Sequence, residues 1–172
     1  MKVSLIHLKV RGSLSGNLEA ASAGIRKAAQ QKPAFIALPE YFSVPNNMEQ
    51  FISAASISKE TYAATVHFLA ETSKEFPSVY VLGGTVLEEE NGKFYNTSTL
   101  WRSGVLIGKY RKRNPIAAEL RAGISRGDKP AVFATEHCKV GLLVCADMFD
   151  PPTIKAVVDL GAELVFLPVA AM

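Results

Sequence analysis

The sequence predicts an α/β fold, built in layers around mixed sheets. Three observations predict it. Short continuous apolar runs, such as Ala34–Leu38 and Lys139–Val144, alternate with stretches whose apolar residues recur at helical spacing. Asn91-Gly92 and Ser103-Gly104 are turn pairs between strand-like runs, so part of the sheet is antiparallel. No segment repeats and no low-complexity linker divides the 172 residues, which suit a single domain over 1–172.

The elements follow in order. Lys2–Val10 roughly alternates and reads as a strand, broken by Arg11-Gly12-Ser13 and Ser15-Gly16. Leu18, Ala21, Ile25 and Ala28 lie at helical spacing, with Asn17 as the expected N-cap and Pro33 just past the end. Ala34–Leu38 is a buried strand that runs into Pro39-Glu40. Residues 46–57 could hold a short helix. Ser58 is expected to cap a long helix reaching Phe76, with Tyr62, Val66, Leu69 and Ala70 on one face. Three strands follow, over Val79–Val86, Phe94–Trp101 and Val105–Tyr110. The polar stretch Arg111–Lys129 looks helical only at Ala117–Ala122. Strands at Val132–Thr135 and Lys139–Val144 lead to a helix over Pro152–Leu160, with Pro at its start and Gly161 at its end. Glu163–Pro168 is the last strand.

Composition excludes several functions. Hydrophobic residues make up 48% and charged residues 20%, a globular balance rather than a disordered one. The net charge of +3 is too small to imply nucleic-acid binding without a concentrated patch. No apolar stretch reaches the length of a membrane span, and the start reads as a strand rather than a signal peptide. The two cysteines, Cys138 and Cys145, cannot staple a domain of this size and have no CxxC or paired-His spacing. Reduced thiols and a cytoplasmic location are the expectation. His7, His67 and His137 share no ligand spacing, and Gly83-Gly84 lacks the dinucleotide-binding pattern.

Three reactive residue types stand just past short apolar runs: Glu40 after AFIALP, Lys112 after GKYR, and Cys145 after GLLV. If those strand ends converge, the site holds a base, a cation and a nucleophile. A thiol needs to lose its proton to attack. A carboxylate can take it. An ammonium favours the thiolate and then the oxyanion. A sharp strand-to-helix turn would expose the thiol and aim the Ala146 N–H at the developing charge.

On these residues the chain resembles the nitrilase, or carbon–nitrogen hydrolase, superfamily. FIALPEYF is similar to its first motif, GKYRK to its second and VGLLVCADMFDPP to its third, in the right order along almost the whole chain. GAELVFLPVA resembles the strand after the elbow. The resemblance implies a nitrilase-like α-β-β-α sandwich that needs no metal or organic cofactor. It implies Glu40 as general base, Lys112 as the cation that stabilises the tetrahedral intermediate, and Cys145 as nucleophile. It also matches Glu119 to a further glutamate that positions groups or substrate. Two stretches depart from the pattern. Ala146 stands where a bulkier residue is usual and no arginine follows, and Asn114-Pro115 replaces a usual His-Leu. Family domains also run further past the elbow, so the sandwich is expected to be incomplete at its C-terminus.

The expected reaction is hydrolysis of a non-peptide carbon–nitrogen bond in a small amide or carbamoyl compound, through an acyl-thioester. Nitriles fit less well, because Ala146-Asp147 does not resemble the nitrile-specific elbow. The expected partners are that substrate and further copies of the chain in a homo-oligomer, with no nucleic acid and no membrane. Other readings stand beside this one. The chain could be a truncated, non-catalytic relative that binds a small ligand or a partner chain. GKYRKR could be a solvated basic face or a nucleic-acid contact. Cysteine is among the most buried residue types, so Cys145 could be core filling. Glu119 could be a helix-surface acid, and Asp147 could orient the elbow or cap the next helix.

Overall fold

The structure, a computed structural model, describes residues 1–45 and 53–170. Among the described residues, eight strands and four helices are defined: β1 (Val3–Leu5), α1 (Leu14–Ala29), β2 (Phe35–Ala37), α2 (Ala54–Glu75), β3 (Tyr80–Glu90), β4 (Lys93–Arg102), β5 (Val105–Arg111), α3 (Ala117–Arg121), β6 (Ala131–Ala134), β7 (Lys139–Leu142), α4 (Pro151–Asp159) and β8 (Leu164–Phe166). A short 3-10 turn, Cys145–Phe149, lies between β7 and α4.

Five strands form one sheet in the order β1-β2-β3-β4-β5. The first three are parallel, because a helix crosses between each pair; β3, β4 and β5 are antiparallel, because tight turns join them. A second sheet has the order β6-β7-β8, with β6 antiparallel and β8 parallel to β7. The alternation of side chains assigns the layers. Ile36, Val81 and Trp101 face Ile25 of α1 and Leu69 of α2. Their neighbours Phe35, Tyr80, Leu82 and Leu100 face Val140, Leu142 and Phe166 of the second sheet. Behind that sheet, Val157 of α4 packs close to Gly141. The layers are therefore helix, sheet, sheet, helix, as expected.

Local details differ from the sequence reading. The first strand is only three residues long. Helix α1 starts earlier, because Ser13 is the N-cap and accepts from the Gly16 N–H at 3.1 Å. Asn17 is instead buried inside the helix, where its amide reaches the Val44 carbonyl at 3.1 Å. Helix α2 also starts earlier: Ser53 stands at its N-cap position and Ser58 is buried within it. The possible short helix over 46–57 falls partly outside the described residues; 54–57 are the first turn of α2. Among the described residues, no helix is long and apolar enough to cross a membrane.

Candidate active site

Glu40 is positioned by the close approach of two strands. Past β2, Leu38 still donates to the Leu82 carbonyl at 3.0 Å. The chain then turns sharply, and Tyr41 adopts a φ of 53° with its N–H on Thr85 Oγ1 at 3.0 Å. Gly84 makes this turn possible. It has a φ of 52°, and a Cβ there would lie 2.0 Å from the Pro39 carbonyl oxygen. The Gly83-Gly84 pair thus serves the exit of β2.

Lys112 lies one residue past β5. Side chains two apart share a face of a strand, so Tyr110 and Lys112 both point toward the second sheet, while Lys109 and Arg111 point away and pair with Glu88 and Glu90. The basic run is thus divided, and the two cations that point away are paired with carboxylates. The Lys112 backbone N–H donates to the Asn96 carbonyl at 2.9 Å, which sets Asn96 of β4 beside it.

These elements bring Glu40, Lys112 and Glu119 into one buried cluster, with exposures of 3%, 1% and 0%. Lys112 Nζ lies 3.0 Å from Glu40 Oε1 and 2.8 Å from Glu119 Oε2. Glu119 also accepts from Tyr41 Oη at 2.6 Å, Asn96 Nδ2 at 2.8 Å and the Ile116 N–H at 2.8 Å. It is a buried acid, not a helix-surface one. Glu40 accepts from Asn96 Nδ2 at 2.9 Å through Oε1, and from the Ala170 N–H at 2.9 Å through Oε2. Burial alone would lower the Lys112 ammonium, but the charges and hydrogen bonds of Glu40 and Glu119 overcome this and hold it above the ordinary lysine value. Burial, then the charges of Glu119 and Glu40, push the Tyr41 hydroxyl well up, so it stays a donor.

Cys145 opens the 3-10 turn after β7, half-buried, with a φ of 43°. That is left-handed backbone, costly for a non-glycine residue and typical of a sharply presented side chain. Asp147 holds the turn. It is fully buried, and its carboxylate accepts from the Val144 N–H at 2.9 Å, Tyr110 Oη at 2.8 Å, and the Asn114 backbone and side chain at 2.9 and 3.1 Å. It therefore orients the elbow, while Asp150 caps α4 by accepting from the Thr153 N–H at 3.0 Å. The neighbouring N–H groups are taken, that of Cys145 by Pro168 at 3.0 Å and that of Asp147 by Val144 at 3.0 Å. The N–H of Ala146 lies between them in the first turn, where a helix offers no internal acceptor.

The Cys145 thiol is pushed up to about 11 by burial, then by the Glu40 charge, against the opposing pull of Lys112. Cys138 lies elsewhere, packed against the inter-sheet core. His137 packs edge-on against Phe35 and Tyr80. Among the described residues, no group of three or more His, Cys, Asp or Glu is arranged to hold a metal ion. Sequence reasoning missed Asn96 and Tyr41. The signal for Asn96 was an amide in the middle of a strand, where asparagine is depleted.

The chain is similar in sequence and fold to known proteins. Human omega-amidase NIT2 is 32% identical over 97% of this chain, and the match spans 62% of the human protein's length. Among solved structures, Nit3 of Saccharomyces cerevisiae, a member of branch 10 of the nitrilase superfamily, superposes with a TM-score of 0.85 at 29% identity, covering 99% of this chain and 65% of that one. A carbon-nitrogen hydrolase of Helicobacter pylori G27 shares the fold, with a TM-score of 0.87 at 19% identity, covering 99% of this chain and 60% of that one. The carbon-nitrogen hydrolase family model matches residues 2–171, and the chain belongs to that family.

Proposed function

We propose that this chain carries the catalytic site of an amidase that hydrolyses a small linear amide or carbamoyl compound through Cys145. The observation that supports the reading is the buried cluster in which Lys112 is shared between the Glu40 and Glu119 carboxylates, with the Glu40 charge, after burial, raising the Cys145 thiol. The similarity to proteins named omega-amidases favours an amide substrate.

Acceptor capacity separates the two glutamates. A carboxylate offers about four acceptor sites. Among the described residues, Glu119 meets four donors and has no room for a proton. Glu40 meets three, two on Oε1 and one on Oε2. Glu40 Oε2 is therefore the base. It takes the thiol proton as sulfur attacks the carbonyl carbon, so no thiolate need persist at rest. The tetrahedral oxyanion is held by the Ala146 N–H and by Lys112, an ammonium with three donors, two of them on carboxylates. The protonated Glu40 gives its proton to the departing amine, the C–N bond breaks, and an acyl-thioester remains. Water then attacks the thioester, Glu40 takes its proton and returns it to sulfur, and the acid leaves.

The test is ammonia release from a panel of linear amides, including dicarboxylic acid half-amides, and from carbamoyl compounds. Wild-type protein should turn over at least one of them and show the acyl mass on Cys145 when quenched. Turnover that survives in purified Cys145→Ala would overturn the reading. Self-association belongs to the same proposal, and sedimentation velocity at two concentrations reads it.

A further inference from the structure

We propose that Asn96 is a positioning residue of this site, closing Oε1 of both glutamates so that the Cys145 proton can be taken only at Glu40 Oε2. The inference rests on the reading of Glu40 as the base.

Asn96 is fully buried in β4, where an amide is costly to place. Its Nδ2 lies 2.9 Å from Glu40 Oε1 and 2.8 Å from Glu119 Oε1, so each of its two protons serves one carboxylate. The opposite orientation would aim its oxygen at two carboxylates with no proton between them, and chemistry excludes it. Its own Oδ1 is buried and has no hydrogen-bond partner among the described residues. The groups that face Glu40 complete the picture: Lys112 after β5, Asn96 on β4, Cys145 at the elbow and the Ala170 N–H after β8, with Glu119 and Tyr41 one bond further out.

Asn96 thus occupies, with Lys112, the Glu40 oxygen that does not react. Removing its hydrogen bond leaves Glu40 a stronger acceptor for the thiol proton. Asn96→Ala should therefore speed alkylation of Cys145 several-fold, and only while Glu40 is present.

The experiment is iodoacetamide labelling of Cys145 from about pH 5 to pH 10, read by peptide mass spectrometry with Cys138 as the internal reference. It compares wild type, Asn96→Ala, Glu40→Gln and the double variant. Asn96→Ala should raise the Cys145 labelling rate several-fold in the wild-type background and leave it unchanged in the Glu40→Gln background. A Cys145 labelling profile unchanged by Glu40→Gln overturns the base reading itself. An Asn96→Ala variant that labels as wild type does, or an Asn96→Ala effect equal in both backgrounds, overturns the role of Asn96 alone. Side-chain amide NMR of Asn96 serves where Asn96→Ala does not fold. One proton signal should move in Glu40→Gln and the other in Glu119→Gln, and failure of either to move overturns the proposal.

Discussion

Lys112 Nζ meets Glu40 Oε1 at 3.0 Å across 72 residues of sequence, with both side chains 1% exposed. The same ammonium holds Glu119 at 2.8 Å. Removing it leaves two buried carboxylates facing each other with no cation. Breaking a buried pair in this way costs about 3–5 kcal/mol. Lys112→Met should lower the unfolding free energy by about that amount in urea titration. Adding Glu119→Gln should recover part of the loss, because one uncompensated charge then goes. If Lys112→Met unfolds at the wild-type urea concentration, the three groups do not form the ionic cluster described.

Asp147 joins the second and third motif segments. Its carboxylate collects donors from Tyr110, Asn114 and Val144, while Cys145 nearby sits in left-handed backbone. Asp147→Ala strands those buried donors, and each unmet buried donor costs about 1–3 kcal/mol. A loss of about 3 kcal/mol is expected, with the strain at Cys145 relaxing. The side-chain contacts of Asn114 show what the departure from the usual His-Leu does here: its amide reaches Asp147 Oδ1 at 3.1 Å and Thr153 Oγ1 at 3.1 Å, tying the loop to α4. Asn114→Ala removes only that side-chain tie and should cost about 1 kcal/mol. Urea unfolding of both variants checks the order; an Asn114→Ala loss as large as that of Asp147→Ala would contradict it.

The strand exits were legible because each reactive residue follows a short apolar run, and the local pattern carries that information. Glu40, Lys112 and Cys145 could be singled out without knowing which strands pair. Asn96 could not. Its role depends on the β4–β5 register, which sets it beside Lys112. Tyr41 was hidden for a similar reason, since its partner Glu119 lies 78 residues away. The helix starts failed through competition between equivalent residue types. Ser13 and Asn17 are both good caps, and the distant Val44 carbonyl claims Asn17. Ser58 reads as a cap by type, but the buried face of α2 is rich in Ser and Thr, with Thr61 and Thr65 bonded back to carbonyls four residues earlier.

Gly84 offers a test of how Glu40 is placed. Its φ of 52° disfavours any side chain, and a Cβ would meet the Pro39 carbonyl oxygen at 2.0 Å. The contact is with backbone, so the β2 exit must shift. Gly84→Ala should cost about 2–3 kcal/mol and should displace Glu40 from Lys112 and Cys145. Gly92→Ala is the control, since φ there is also positive but nothing lies within 4 Å. Gly84→Ala should change the Cys145 labelling profile toward that of an isolated thiol, and Gly92→Ala should leave it unchanged. Equal profiles in the two variants would show that the Gly84 approach does not position the base.

The alkaline limb of stability reports the same environment. The Cys145 thiol is held up to about 11 by burial and the Glu40 charge, and Lys112, Tyr41 and Tyr110 are also raised. In the unfolded chain these groups titrate near their ordinary values, about 8.5 for the thiol and about 10 or above for tyrosine and lysine. Between the unfolded and folded values, the folded chain keeps a proton that the unfolded chain has lost, so stability falls as pH rises. Cys145 opens that window first, from about 8.5 to about 11. Cys138 is raised as well, but it is common to wild type and Cys145→Ala and cancels in their difference. Thermal midpoints measured from about pH 6 to pH 11 should therefore differ by a constant amount below about pH 8, and wild type should then lose ground to Cys145→Ala as the thiol window is crossed. A difference that stays constant through pH 11 would mean that the thiol titrates as it does in the unfolded chain, away from the Glu40 carboxylate.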